Sequence, residues 1–361
     1  MLNHPFSQSP IIFVQILSML NYGNSNLVET SLHFCGNKNN GEEFALSNRP
    51  LELSEQMSFA LADFLLQPFS KLFEEYRFTA ESVVKPILSQ VFSAEKSLHD
   101  ASKALTEHLY EVSEHPRIGN GDVLVCYVKG LAYANVFSDG IAVFKFENKE
   151  NFLFTDMDSE GGSFTLKPGI RNSRFDKACL ILNLEEEEGF RSFLIDNSSR
   201  GEEAHFWKER FLGLTPRQDK HFQTKQMMNV YKDFVVTELP QQFEVSKAEQ
   251  ADLLARSVNY MKENERFRMQ EFEQQVMSQP QVISAFKGYV EEQTSANDYS
   301  IPDEFEISAP AVKKQGKFVK SVIKLDKNFH LYVHGNRELI EKGFDESTGM
   351  HYYKLFFKEE A

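Results

Sequence analysis

Residues 122–158 read DVLVCYVKGLAYANVFSDGIAVFKFENKENFLFTDMD, and this stretch decides the fold class. Short apolar runs rich in Val, Ile, Phe and Tyr alternate with turn-forming residues, the pattern of successive β-strands. Ser138-Asp139-Gly140 and Glu147-Asn148-Lys149 have the composition of hairpin connectors. KACLILNL at 177–184 and RSFLIDNS at 191–198 continue the series. The spacing predicts an antiparallel meander beginning after Gly119-Asn120-Gly121.

On the amino-terminal side, residues 54–114 read as helical. Ser54 is placed to cap a first helix that ends by Pro68, and a second stretch follows from about Ser70. Ala94, Leu98, Ala101, Leu105, Leu109 and Val112 recur every three or four residues, one apolar stripe on a helix closed by Pro116. On the carboxyl side, Trp207, Phe211 and Leu212 make an apolar edge that Gly213 can cap. Residues 219–239 predict a helix stopped by Pro240. Ser246-x-x-Glu249 is a capping box opening a helix over 247–263. Helical stretches follow at 267–277 and 282–292. After Asp298 strands return: DEFEISAP, KFVKSVIKL, NFHLYVHG and HYYKLFF. The expected fold is α+β, with N-terminal helices plus an antiparallel meander over 1–215. C-terminal helices plus a small antiparallel sheet fill 216–361.

The 361 residues are 41% apolar and include 33 Phe, enough to build packed cores. Cys35, Cys126 and Cys179 are odd in number and form no C-x-x-C pair, which fits a reducing compartment and neither a disulfide framework nor a zinc knuckle. Cys126 and Cys179 sit in apolar runs, where a thiol serves as a small hydrophobe. The run Pro10–Leu20 reads as a buried strand or helix segment: no Lys or Arg precedes Lys38, and the run falls short of the ~20 residues a bilayer span needs. No membrane association is expected.

The sequence contains no phosphate-binding loop, dinucleotide fingerprint, H-E-x-x-H or G-x-S-x-G. Asp326, His330 and His334 are spaced four apart, which on a helix would make a metal face. The local pattern is that of a strand, where the two histidines would stand ~13 Å apart, too far to share one ion at ~2 Å bonds. Glu185–Glu188 reads as a solvated turn. No catalytic residue, metal or cofactor is therefore expected.

Net charge is −14, which argues against a protein that simply coats phosphate backbones. The distribution says more. Residues 1–120 carry 8 Lys/Arg against 14 Asp/Glu, residues 121–310 carry 21 against 32, and residues 311–361 carry 10 against 7. Lys313, Lys314, Lys317, Lys320, Lys324 and Lys327 cluster there against the single Asp326. In a regular strand Lys320 and Lys324 share a face and can meet phosphates, with Lys313 and Lys314 on a flexible approach and Lys317 on the opposite face. These six lysines are the candidate DNA contacts; the competing reading is that they protect an edge strand from aggregation. Arg171 and Arg174 form a second, weaker candidate.

The ordered motifs resemble the bacterial nucleoid-associated protein family of the NdpA/YejK type. The resemblance rests on GDVLVCYVKGLAYANVF at 121–137, RFDKACLILNL at 174–184 and HFWKERFLG at 205–213, and most specifically on KFVKSVIKLDKNFHLYVHGNRELIEKGFDESTGMHYYKLFF at 317–357. It runs from about residue 55 onward, and the first fifty residues match poorly. The resemblance implies a cytoplasmic protein of the nucleoid that binds double-stranded DNA; the lysine placement and the missing catalytic motifs add the expectation of little sequence specificity and no catalysis. It also implies self-association, as in a homodimer, and contact with chromosome-handling proteins such as type II topoisomerases. An adaptor recruited through such a partner is the alternative reading. No DNA-contact motif is carried over, so the six lysines stand on charge placement alone.

Overall fold

The computed structural model describes residues 20–157, 161–171, 175–197, 205–296, 299–317, 322–325, 329–332 and 339–359. The chain divides into two compact units, Met1–Arg217 and Gln218–Ala361.

In the first unit the elements run β1 (Leu20–Asn21), β2 (Asn26–Cys35), α1 (Glu55–Leu66), β3 (Tyr76–Phe78), α2 (Val84–Phe92), α3 (Leu98–Val112), β4 (Gly121–Tyr133), β5 (Val136–Phe146), β6 (Glu150–Met157), β7 (Gly162–Gly169), β8 (Lys177–Leu182), β9 (Arg191–Asp196) and β10 (Leu214–Pro216). One antiparallel sheet is ordered β4-β5-β8-β9-β3-β10, with β1 and β2 both paired to β4. Alternate side chains feed two separate cores. Val123, Val125, Ile141, Val143, Cys179 and Ile181 pack under α2, α3 and a π-helical turn at Phe206–Leu212. Leu124, Cys126, Ala142, Phe144, Ala178 and Leu180 pack under α1 and Phe69. A sheet covered on both faces reads as a nearly continuous apolar run: β8, KACLIL, is buried throughout, and its one charged residue, Lys177, is paired with Asp196 at 3.0 Å.

The meander differs from expectation in two respects. The β4–β5 hairpin turns at Ala134-Asn135, both at positive φ, while Ser138–Gly140 lie inside β5. Two positive φ angles fit the right-handed twist of a two-residue hairpin, and the absence of Gly there hid the turn. The NFLF run also leaves the sheet: β6 pairs with β7 as a separate ribbon, and β5 pairs directly with β8.

The helical region is corrected as well. Ser54 caps α1 by accepting from the Met57 N–H, but the stretch after Ser70 is a short 3₁₀ turn followed by β3. Ala94 sits in a turn at φ 60°, and the stripe begins at Leu98 behind the Ser97 cap.

In the second unit, α4 (Lys220–Asp233) passes through a π-helical turn, Phe234–Glu238, into α5 (Leu239–Gln242). Pro240 therefore lies within the helical run just after the π-helical turn, and the helix ends two residues beyond it, at Gln242. The capping box holds: Ser246 Oγ accepts from Glu249 N at the start of α6 (Lys247–Glu263), and Glu249 answers onto the Ser246 N–H. Next come β11 (Arg266–Arg268), α7 (Met269–Phe272), a π-helical turn at Glu273–Met277, α8 (Pro280–Ala296), β12 (Glu304–Glu306) and α9 (Ala309–Gly316). The core is aromatic: Tyr231, Phe234, Tyr260, Phe267, Phe272 and Phe286. β11 pairs with β12, stacking Phe267 on Phe305 with centroids 4.7 Å apart. The remaining strands are β13 (Val322–Leu325), β14 (Phe329–Tyr332), β15 (Ile340–Asp345) and β16 (Met350–Leu355). Among the described residues they form two further two-stranded ladders, β13–β14 and β15–β16, and not one small sheet. The architecture is α+β.

Candidate nucleic-acid interface

The segment Ser308-Ala309-Pro310 opens α9, with proline in the first helical turn. Ala311 and Val312 are buried, and Val312 joins the aromatic core. Anchoring that side turns Lys313 and Lys314 outward in the last turn, with Lys317 as the C-cap. The expectation of a flexible approach followed by a strand is thus corrected for these three residues. Lys317 has helical backbone angles, φ −68° and ψ −29°, so strand alternation does not apply to it. Lysines at the carboxyl end of a helix are stabilised by its dipole.

Lys313 and Lys317 lie one helical turn apart, ~6 Å along the axis, and line a groove of about 980 Å³. The end of α6, the start of β11 and the end of β12 complete its walls. Lys262 and Arg266 add two cations to this groove, while Glu263, Glu265 and Glu306 add three acids. Glu306 is engaged by Lys220 at 3.2 Å. Among the described residues no carboxylate lies within 4.0 Å of Lys313, Lys314 or Lys317. The groove is weakly cationic, four charges against three, in a chain that is acidic elsewhere.

Lys324 lies in β13, opposite His330 of β14 in the hairpin register, and β13 comes within 8 Å of α6 between Cα atoms. Lys320 and Lys327 lie outside the described residues, as do Asp326 and His334. Of the six lysines, the described fold therefore brings Lys313 and Lys317 to one groove and places Lys324 on a neighbouring hairpin. Lys262 and Arg266 were not legible as partners, because about fifty residues separate them from α9 in the chain. The second candidate fares differently: Arg171 is paired with Glu150, and Arg174 lies outside the described residues.

Glu185–Glu188 form an exposed turn, as the sequence reads, from which Glu185 and Glu188 bind Arg217 and Glu185 also holds Arg191. Arg191 in turn reaches the buried Glu75 and lies over the Tyr133 ring at 4.5 Å. Ser31 Oγ lies 2.8 Å from His99 Nδ1, and His33 Nε2 lies 2.8 Å from Ser102 Oγ. Both serines are wholly buried, so neither hydroxyl can meet a substrate. Cys35, Cys126 and Cys179 are buried free thiols, and burial pushes Cys126 up to about 12. Among the described residues no three His, Cys, Asp or Glu side chains are grouped to hold a metal ion.

A family model described as nucleoid-associated protein YejK matches residues 31–349. The chain belongs to this nucleoid-associated protein family. The match takes in the second half of β2 as well as α9 and β13–β14, so it reaches both units and extends further toward the amino terminus than the motifs alone suggested. No curated protein matches the chain. Membership of a bacterial nucleoid-associated family gives the chain a role at the nucleoid. No described helix is long and apolar enough to cross a membrane.

Proposed function

We propose that this nucleoid-associated protein binds double-stranded DNA directly and weakly, without sequence preference and without catalysis, through the lysine-bearing end of its second unit. The observation that carries this reading is the placement of Lys313, Lys314 and Lys317. They are exposed at the end of α9 and have no described acidic partner, whereas Lys145, Arg171, Lys177 and Arg217 are among the described cations that are ion-paired. Point charges of this kind neutralise phosphates and release counterions but do not read bases.

The weak local excess of positive charge sets the expected behaviour. Binding of a fluorescent duplex should fall steeply with salt, each lost phosphate contact lowering the log–log slope by about 0.9. The double variant Lys313→Glu/Lys317→Glu should weaken binding and reduce the slope by about 2, and Lys320→Glu/Lys324→Glu should act in the same direction. An unchanged slope in both double variants removes this region from DNA contact.

The net charge of −14 favours one rival reading, an adaptor that reaches the nucleoid through a basic partner surface such as that of a type II topoisomerase. An adaptor would leave bare duplex DNA unshifted even at low salt and would bind the partner without DNA.

A further inference from the structure

The second unit holds another cavity, of about 560 Å³, walled by α7, α8 and the segment leading into β12. It shares no lining residue with the groove at α9, and its charge has the opposite sign. Glu271, Glu273, Glu291, Asp303 and Glu304 line it against Arg268 and Lys287. Arg268 is taken up by Glu271 and Glu304, at 3.1 and 3.4 Å. Among the described residues no cation lies within 4.0 Å of Glu291 or Asp303. The wall also includes Met269, Val290 and Ile301, each packed against the aromatic core.

Glu273 sets this cavity apart from an ordinary acidic surface. Its side chain is only 6% exposed, and Oε1 is buried without a hydrogen-bond partner. Oε2 lies 3.1 Å from Nζ of Lys287. A carboxylate taken out of water and satisfied on one oxygen alone leaves the desolvation of the other uncompensated. Lys287 is itself 57% exposed, so its ammonium can swing away into solvent without opening the core. Its methylene stem and terminal ammonium thus mark what the cavity accepts.

We propose that this cavity binds a linear polyamine, with one ammonium replacing that of Lys287 on Glu273 and the others meeting Glu291 and Asp303. Three observations select that ligand. First, among the described residues no three acids are grouped to hold a metal ion, so the negative charge suits an extended cation and not a point charge. Second, Met269, Val290 and Ile301 offer apolar surface to methylene segments, which a hydrated inorganic ion cannot use. Third, five acids against two cations leave an excess of three negative charges, the number that a triamine neutralises. The same excess repels phosphate, so nucleic acid does not compete for the cavity. This inference is independent of where DNA binds.

The test is a calorimetric titration of spermidine into the full chain at low salt, without DNA. The unsubstituted protein should show one saturable site. Glu273→Gln should weaken it roughly tenfold, and Glu291→Gln/Asp303→Asn should act in the same direction. Lys287→Met, which removes the competing ammonium, should tighten it. Glu186→Gln/Glu187→Gln takes two charges from an exposed turn of the first unit and should leave affinity unchanged. Far-ultraviolet dichroism confirms that each variant keeps its helices. A tetralysine peptide, which offers the same ammonium groups from a protein source, should bind more weakly than spermidine. The absence of a saturable site overturns the proposal, as do unchanged affinity in Glu273→Gln, weaker binding in Lys287→Met, or equal weakening by the turn variant. Tighter binding of tetralysine would overturn it too, by assigning the cavity to a basic protein segment.

Discussion

The first unit should lose stability in mild acid through a single side chain, His33 of β2. Its ring is 3% exposed and held in one tautomer. The Ser47 N–H donates to Nδ1 at 3.0 Å, so the ring proton sits on Nε2 and is given to Ser102 Oγ at 2.8 Å. Ser102 passes its own proton to the His99 carbonyl at 2.7 Å. Protonating Nδ1 would set two N–H groups against each other in a dry site beside the His99 ring, whose centroid is 5.9 Å away. Burial first, then the charges of His99 and Lys103, bring the His33 pKa from 6.5 down to about 4. The unfolded chain therefore binds a proton across the window that the folded chain refuses, and stability falls as pH drops from 6.5 toward 4. With 1.36 kcal/mol per pKa unit, the full loss is about 3 kcal/mol, of which about 2 kcal/mol is reached between pH 7 and pH 5. The assay is denaturant unfolding at those two pH values, read by Trp207, the single tryptophan, which is fully buried in the core of the first unit. The variant His33→Gln keeps a donor and an acceptor but cannot titrate, so it should lose about 2 kcal/mol less than the parent over the same interval. Equal losses in parent and variant would refute the reasoning.

Gly213 has φ 68°, and a Cβ there would stand 2.8 Å from the Ser82 Cβ. Gly213→Ala should accordingly cost roughly 1–3 kcal/mol, measured by the same tryptophan signal. Ser246→Ala removes the capping box of α6 and should lower the stability of the second unit by about 1 kcal/mol, read by far-ultraviolet dichroism. Lys145 is fully buried, with its Nζ 3.2 Å from Glu147 Oε1 and 2.6 Å from the Gly119 carbonyl. Lys145→Met strands the Glu147 charge and should cost about 3–5 kcal/mol, part of which Lys145→Met/Glu147→Gln recovers. The three thiols should resist a thiol reagent in the native protein and all react after denaturation; rapid labelling of any one in native protein would contradict its burial.

Local chemistry was readable wherever it was self-contained. Ser54, Ser246 with Glu249, and Gly213 announce helix ends because a cap needs only its own turn. The apolar runs of β4, β5, β8 and β9 announce strands because both faces of their sheet are buried. The lysine cluster after residue 312 was visible as composition, and the acidity of the remainder with it. Three things depended on partners distant in the chain. The turn at Ala134-Asn135 takes its geometry from the twist of the strands it joins. The departure of β6 from the sheet depends on β8 taking the place beside β5, since β6 itself reads as an ordinary strand. The groove at α9 joins Lys313 and Lys317 to Lys262 and Arg266, and to the acids that temper them. The sequence by itself determined which residues are apolar, which are charged, and where helices begin. Only the tertiary structure decided which charges face one another and which strands share a sheet, because those are distances between segments that periodicity along the chain does not encode.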